Sequence, residues 1–223
     1  MIRFLAPLAA AALLATACTS PALAESIVAT PAAKVVASEK GLKTAIFAGG
    51  CFWGIEGVFG HLKGVTSAVS GYHGGAAATA KYDLIGSGDT GHAESVKVTY
   101  DPAVIRYDQL LQVFFAVGAD PTQLNRQGPD RGTQYRTALI PMSAEQNKVA
   151  AAYLAQLKAS GLWKKPIVAR IERAQAFYPA EGYHQDFMSK NPNHGYIRAW
   201  DAPKVAGLKR LFPREYKATF TAG

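Results

Sequence analysis

Residues 93–100 alternate strictly: Glu94, Val96, Val98 and Tyr100 fall on one side of an extended chain, and Ala93, Ser95, Lys97 and Thr99 on the other. This predicts a strand with one buried face, and it places a carboxylate on that face. A carboxyl group surrounded by apolar residues loses its solvation, so its pKa rises and it can remain an acid near neutral pH. Alternation alone leaves a second reading open, in which Glu94 is paired or sits on a sheet edge.

Upstream, residues 43–48 form a short β-prone run that ends in Gly49 and Gly50. Cys51, Ile55, Val58, Phe59 and Leu62 then recur at helical spacing. Cys51 therefore opens a helix, where the macrodipole and the unpaired N–H groups favour thiolate and should make it more acidic than a free cysteine. The glycines allow a sharp turn out of the strand. The alternative is a buried cysteine acting as a small hydrophobe.

The rest of the chain mixes short strands and helices without a regular repeat. Residues 65–72 read as a strand and 108–117 as a buried helix, with a long loop over 120–132. Residues 134–140 read as a strand. Ser143 and Gln146 give a capping-box signal for a helix that Gly161 closes, and residues 167–171 form the last clear strand. From Phe177 onward the chain reads as irregular structure with a short helix over 204–211. The expected fold is α+β, a two-layer sandwich with a mixed or antiparallel sheet, helices packed on it and a long irregular C-terminal segment.

With 223 residues, 49% of them hydrophobic, the chain can bury one sizeable core. Its formal net charge of +8 is scattered, with no basic run or basic helix, which argues against nucleic-acid binding. At the N-terminus, Arg3, an apolar stretch over 5–17 and Ala22-Leu23-Ala24 ahead of Glu25 read as a secretory signal ending at residue 24. Leu14-Ala15-Thr16-Ala17-Cys18 gives an alternative lipoprotein signal ending at residue 17, with Cys18 lipidated. Residues 25–41 read as a tether and 42–215 as the folded domain. The expected location is periplasmic, either soluble or anchored through Cys18. In either case Cys51 remains as a lone thiol in an oxidising compartment, where cysteines are normally paired.

Several chemistries are excluded. Gly86, Gly88 and Gly91 match a dinucleotide fingerprint in spacing, but the motif runs into a strand rather than opening a helix. The five histidines show no ligand spacing, so no metal site is expected. There is no C-x-x-C motif of the thioredoxin type.

Longer motifs carry a resemblance. Gly50-Cys51-Phe52-Trp53-Gly54 with Glu56, then Gly71-Tyr72-His73-Gly74-Gly75, Tyr82 and residues 86–94 resemble methionine sulfoxide reductase A. Asp120-Pro121, Arg126-Gln127-Gly128 with Asp130, residues 132–136 and Tyr183-His184-Gln185 follow in the same order. The resemblance covers roughly residues 43–198.

It implies that Cys51 attacks the sulfur of methionine S-sulfoxide, free or in oxidised proteins, while protonated Glu94 donates to the oxygen. It further implies that Tyr82 and Tyr135 hold that oxygen, that Phe52 and Trp53 form the pocket for the methyl group, and that Asp130 is the active-site aspartate. No bound cofactor is expected, and the protein is expected to be a monomer. Many members carry further cysteines near the C-terminus, whereas the Gly195-Tyr196-Ile197 region has none. A Cys51 sulfenic acid would therefore be resolved by an external thiol, a thioredoxin-like protein or a small thiol. Ala119 also departs from the family, which usually has His there. The competing readings are a cysteine-dependent hydrolase or acyltransferase in which a histidine such as His184 activates Cys51, and a peptide-binding domain in which Cys51 is merely structural.

Overall fold

The structure, a computed structural model, describes residues 27–223. The signal-peptide and Cys18 expectations lie outside the described residues. Six strands form one sheet: β1 (Lys43–Gly49), β2 (Val65–His73), β3 (Ala93–Tyr100), β6 (Thr137–Ile140), β7 (Arg170–Ile171) and β8 (Phe177–Pro179), in the order β7-β6-β1-β3-β2-β8. All neighbours are antiparallel except β6 and β7, which are parallel, so the sheet is mixed. A hairpin of β4 (Arg126–Gln127) and β5 (Asp130–Arg131) stands apart, inside the stretch expected as a plain loop.

The helices are α1 (Phe52–Gly60), α2 (Tyr82–Ile85), α3 (Tyr107–Val113), α4 (Ala144–Ala159), α5 (Phe187–Lys190) and α6 (Ala202–Leu211). Wider π-helical turns extend α3 over Phe114–Gly118 and precede α6 over Ile197–Asp201. The main core lies between the helices and one face of the sheet, which gives the expected α+β architecture. Phe47 of β1, Phe59 of α1 and Phe114 meet there, with Phe47 4.7 Å from Phe59 and 5.3 Å from Phe114 between ring centroids. On the opposite face a smaller cluster joins Ile46, Ala48, Ala93, Ala138 and Ile140. Ala93 and Ser95 are therefore buried as well, and β3 is covered on both faces at the end that carries Glu94.

Four expectations change, the first being that of residues 167–171 only Arg170–Ile171 are strand. Phe177–Pro179 is a further strand, held on the sheet by pairing with Gly71, Tyr72 and His73 rather than by an alternating pattern of its own. Of residues 134–140 only 137–140 are strand, because Thr133–Tyr135 coil into a 3₁₀ turn. Residues 27–41, expected as a tether, are not a free linker. Val28 N–H donates to the Ala116 carbonyl at 2.9 Å, Tyr153 donates its hydroxyl to the Pro31 carbonyl at 2.8 Å, and Ala37 N–H donates to Asp108 at 3.0 Å. These bonds lay the segment along α3 and α4.

Candidate active site

β1 delivers the chain to the start of α1 through Gly50, which has φ +84 and lies against Gln127, where an added Cβ would sit 2.4 Å from that side chain. The turn therefore needs glycine both for its backbone angle and for the close approach. Cys51 follows as the N-cap of α1, 9% exposed. Phe52 N–H donates to Oε2 of Glu94 at 3.0 Å, so the adjacent strand β3 supplies a carboxyl group to the first turn of the cysteine's helix. The inward placement of Glu94 read from the alternation is what the fold shows, with 2% of the residue exposed.

Burial raises the pKa of Glu94 to about 8; the Phe52 N–H opposes this, and Asp130 and Asp201 add to it. At neutral pH Glu94 is an acid with a proton to give. Cys51 departs from the expectation of unusual acidity. Burial pushes its thiol well up, and Glu94, Asp201 and Asp130 push it further, against one favourable bond from the Trp53 N–H. The helix terminus is present, but desolvation above all, with the acidic side chains around the thiol, outweighs a macrodipole worth about half a charge. The resting site thus holds a thiol and a carboxylic acid, both protonated.

A cavity of about 250 Å³ adjoins Glu94, lined by Tyr82, Ile85, Gly86, Gln134 and Tyr135 among others. Tyr82 comes from α2, whose start is fixed by Glu181: Tyr82 N–H donates to one carboxylate oxygen at 3.0 Å and the Tyr72 hydroxyl to the other at 2.7 Å. Tyr135 comes from the 3₁₀ turn. Burial pushes Tyr82 up to about 12 and raises Tyr135 too, so both remain phenols able to donate.

Trp53 and Phe52 border the site differently. Trp53 is half-buried, stacks on Phe187 at 3.8 Å and donates its indole N–H to Nδ1 of His184 at 3.1 Å. Phe52 is fully buried against Tyr72 and His184. Asp130, on the β4–β5 hairpin, accepts a hydrogen bond from the Tyr196 hydroxyl. The hairpin is tied to the body by Gln127, whose Nε2 donates to the Asp120 carbonyl at 2.8 Å and to Thr137 at 2.7 Å. No hydrogen bond joins His184 to Cys51 among the described residues, so the geometry gives the thiol a carboxylic acid for a neighbour and not the imidazole that a hydrolase needs. Among those residues no group of three or more His, Cys, Asp or Glu is placed to hold a metal.

The family model described as peptide methionine sulfoxide reductase matches residues 43–215. The chain belongs to this family. It is 57% identical over 176 residues to peptide methionine sulfoxide reductase MsrA 2 of Mesorhizobium japonicum, covering 79% of this chain and 90% of the relative. It is 49% identical over 168 residues to MsrA of Deinococcus radiodurans, covering 75% and 81%. Among solved structures it is similar to reduced Mxr1 of Saccharomyces cerevisiae, with TM-score 0.62, 33% identity and coverage of 72% and 92%. It is also similar to methionine sulfoxide reductase A of Corynebacterium diphtheriae, with TM-score 0.57, 31% identity and coverage of 78% and 90%. The enzyme is a methionine sulfoxide reductase.

Within this reductase the structure adds residues that the sequence motifs did not single out as site residues. Tyr196 reaches Asp130 and lies edge-on to Trp53, 5.9 Å between ring centroids. Asp201 and Lys204 are buried beside α1. Tyr196 was visible as part of Gly195-Tyr196-Ile197, whereas nothing in the local pattern around Asp201 separates it from a solvated helix start.

Proposed function

We propose that the enzyme reduces methionine S-sulfoxide by direct attack of Cys51, with Glu94 as the proton donor. The observation that carries this is the buried carboxylic acid, neutral at physiological pH, held one residue from the nucleophile. As Sγ of Cys51 closes on the sulfoxide sulfur, the oxygen takes the Glu94 proton and the Cys51 thiol proton replaces it on the carboxylate. Oxygen ends on Cys51 as sulfenic acid and methionine leaves, so the site exchanges no net proton with solvent. The Tyr82 and Tyr135 hydroxyls stabilise charge on the oxygen, and Trp53 and Phe52 shape the wall toward the methyl group.

With Cys51 the one cysteine among the described residues, the sulfenic acid is resolved by an external thiol, a thioredoxin-like protein or a small thiol, which forms a mixed disulfide that a second thiol releases. Residues 1–24 direct export to the periplasm, and Cys18 is either removed with them or lipidated. The test is single-turnover release of methionine from each sulfoxide epimer by the chain carrying Cys18→Ser, with Cys51→Ser alongside. About one equivalent from the S epimer, abolished in the second variant, supports the reading, and no release from either epimer ends it. Omitting external thiol should leave a sulfenic acid that traps dimedone.

A further inference from the structure

The mouth of the catalytic cavity continues into an aromatic shelf that the chemistry of Cys51 and Glu94 does not use. Tyr82 lines the cavity and is 36% exposed. His184 packs beside it with 4.3 Å between ring centroids, and Tyr183 packs on the same imidazole at 4.2 Å. His184 is buried, whereas Tyr183 is 62% exposed. The Tyr183 ring therefore covers a buried histidine with part of its surface and presents the rest to solvent. The shelf is held in place from behind: Tyr82 N–H donates to Glu181, two residues before Tyr183, at 3.0 Å, and the Trp53 indole donates to Nδ1 of His184 at 3.1 Å. A single exposed tyrosine is ordinary. Tyr183 differs in being joined, through His184, to a residue of the catalytic cavity. The other wall of that cavity, the turn that carries Tyr135, gives onto polar ground, a cavity of about 630 Å³ lined by Asp89, Thr133, Arg136, Arg170 and Arg173 among others. The mouth is thus aromatic toward Tyr183 and polar beyond Tyr135.

We propose that Tyr183 forms a subsite for the side chain two residues away from the methionine sulfoxide of an oxidised polypeptide, with an aromatic side chain as its preferred occupant. The assignment rests on the reductase reading and names the polypeptides that the site favours. When the sulfoxide of an extended chain enters the cavity, the next side chain points away from the enzyme and the one after it points back. Two residues of extended chain cover about 7 Å. The Tyr82 and Tyr183 rings lie no further apart than their two distances to the His184 ring taken together, so the step of the substrate matches the step of the shelf. An aromatic ring laid on Tyr183 removes apolar surface from water on both partners and gains ring contact. Tyr183 loses little freedom in the process, because its ring already rests on His184. An acidic side chain is disfavoured there, since Glu181 and Asp83 both act on the Tyr183 hydroxyl. Free methionine sulfoxide has no residue at that distance, so the subsite acts on polypeptide substrates alone.

The test compares kcat/KM, with dithiothreitol as reductant, for pentapeptides that have methionine S-sulfoxide at the centre and glycine elsewhere. One carries phenylalanine two places before the sulfoxide, one carries it two places after, and one has glycine at both. The full chain carrying Cys18→Ser should favour one of the two phenylalanine peptides over the glycine peptide about fivefold, and the gain should lie in KM. Glutamate at the responding place should fall below glycine. In Tyr183→Ala the preference should disappear, and in Tyr183→Phe, which keeps the ring, it should remain. The readout is a ratio within each variant, so a general loss of activity or stability cancels. Equal values for the three peptides in the parent, or a preference that survives Tyr183→Ala, overturns the proposal. Turnover without selectivity marks failure of this subsite, whereas failure of the reductase reading would leave every peptide unreduced and remove the subsite with it.

Discussion

The backbone N–H of Phe52 and the carboxyl of Glu94, 42 positions apart in sequence, share a 3.0 Å hydrogen bond. It fixes the acid relative to the nucleophile through the helix backbone rather than through a flexible side chain. Glu94→Gln keeps a carbonyl oxygen for that bond and removes the proton. It should lower kcat by roughly 10²- to 10³-fold, about 3 to 4 kcal/mol of transition-state stabilisation, with KM little changed. Steady-state kinetics on the S-sulfoxide check this, and a fall confined to KM would reassign Glu94 to substrate binding.

The same carboxyl sets the alkaline limb of activity. Glu94 must be protonated to donate, and its pKa is raised by burial to about 8. Turnover should therefore hold through neutral pH and fall as pH rises through about 8, even though thiolate formation at Cys51 increases over that range. In Glu94→Gln the limb should vanish. A profile that climbs steadily above pH 8 would mean that thiolate supply, not proton donation, limits the enzyme.

Tyr82 and Tyr135 should be separable. Tyr82 is 36% exposed and stacks near His184, while Tyr135 is more enclosed. A donor at the wetter position is more easily replaced by water, so Tyr82→Phe should cost less than Tyr135→Phe. Each should cost less than Glu94→Gln, which supplies both a bond and a proton. The double phenylalanine variant should lose more than either single variant, because both hydroxyls address one oxygen. Paired measurements of kcat/KM for the three variants decide the order.

What the sequence revealed depended on whether a residue's partners lay nearby in the chain. Glu94 was legible because period-two alternation placed it inward without reference to any other element. Cys51 was legible as a helix opener from the glycines and the apolar spacing after it. Its protonation was misread, because the local helix dipole is visible in sequence, whereas the burial of the thiol, and the approach of Glu94, Asp201 and Asp130, come only through tertiary folding. For the same reason Phe177–Pro179 and the packed course of residues 27–41 were missed: pairing with β2 in one case, and hydrogen bonds to α3 and α4 in the other, override a composition that reads as loop. The motif glycines were legible as motif and not as mechanism, since the reason for Gly54 lies 147 residues away at Asp201.

Glu56 tests the fold around the site rather than the chemistry. It is fully buried one turn beyond Phe52, and its two oxygens accept N–H bonds from Ser70 at 3.3 Å and from Asp186 at 2.8 Å, joining α1 to β2 and to the C-terminal segment. Burial, with the Asp186 charge, raises its pKa to about 7. Glu56→Ala would strand the Asp186 N–H, while Ser70 N–H keeps its 3.0 Å bond to Gln185, and would leave a void, a loss of about 3 kcal/mol, or roughly 6 to 12 °C in Tm for a domain of this size. The sign with pH follows from the raised value. Folded Glu56 and Glu94 hold protons that their unfolded counterparts release near 4.5, so their contribution to stability is complete below that pH and is lost as pH rises through about 7 and 8. Urea midpoints at pH 5.5 and pH 8.5 should therefore differ in favour of the lower pH, and Glu56→Gln should narrow the difference. Equal midpoints in the parent chain would show that both carboxyls ionise in the folded state without cost.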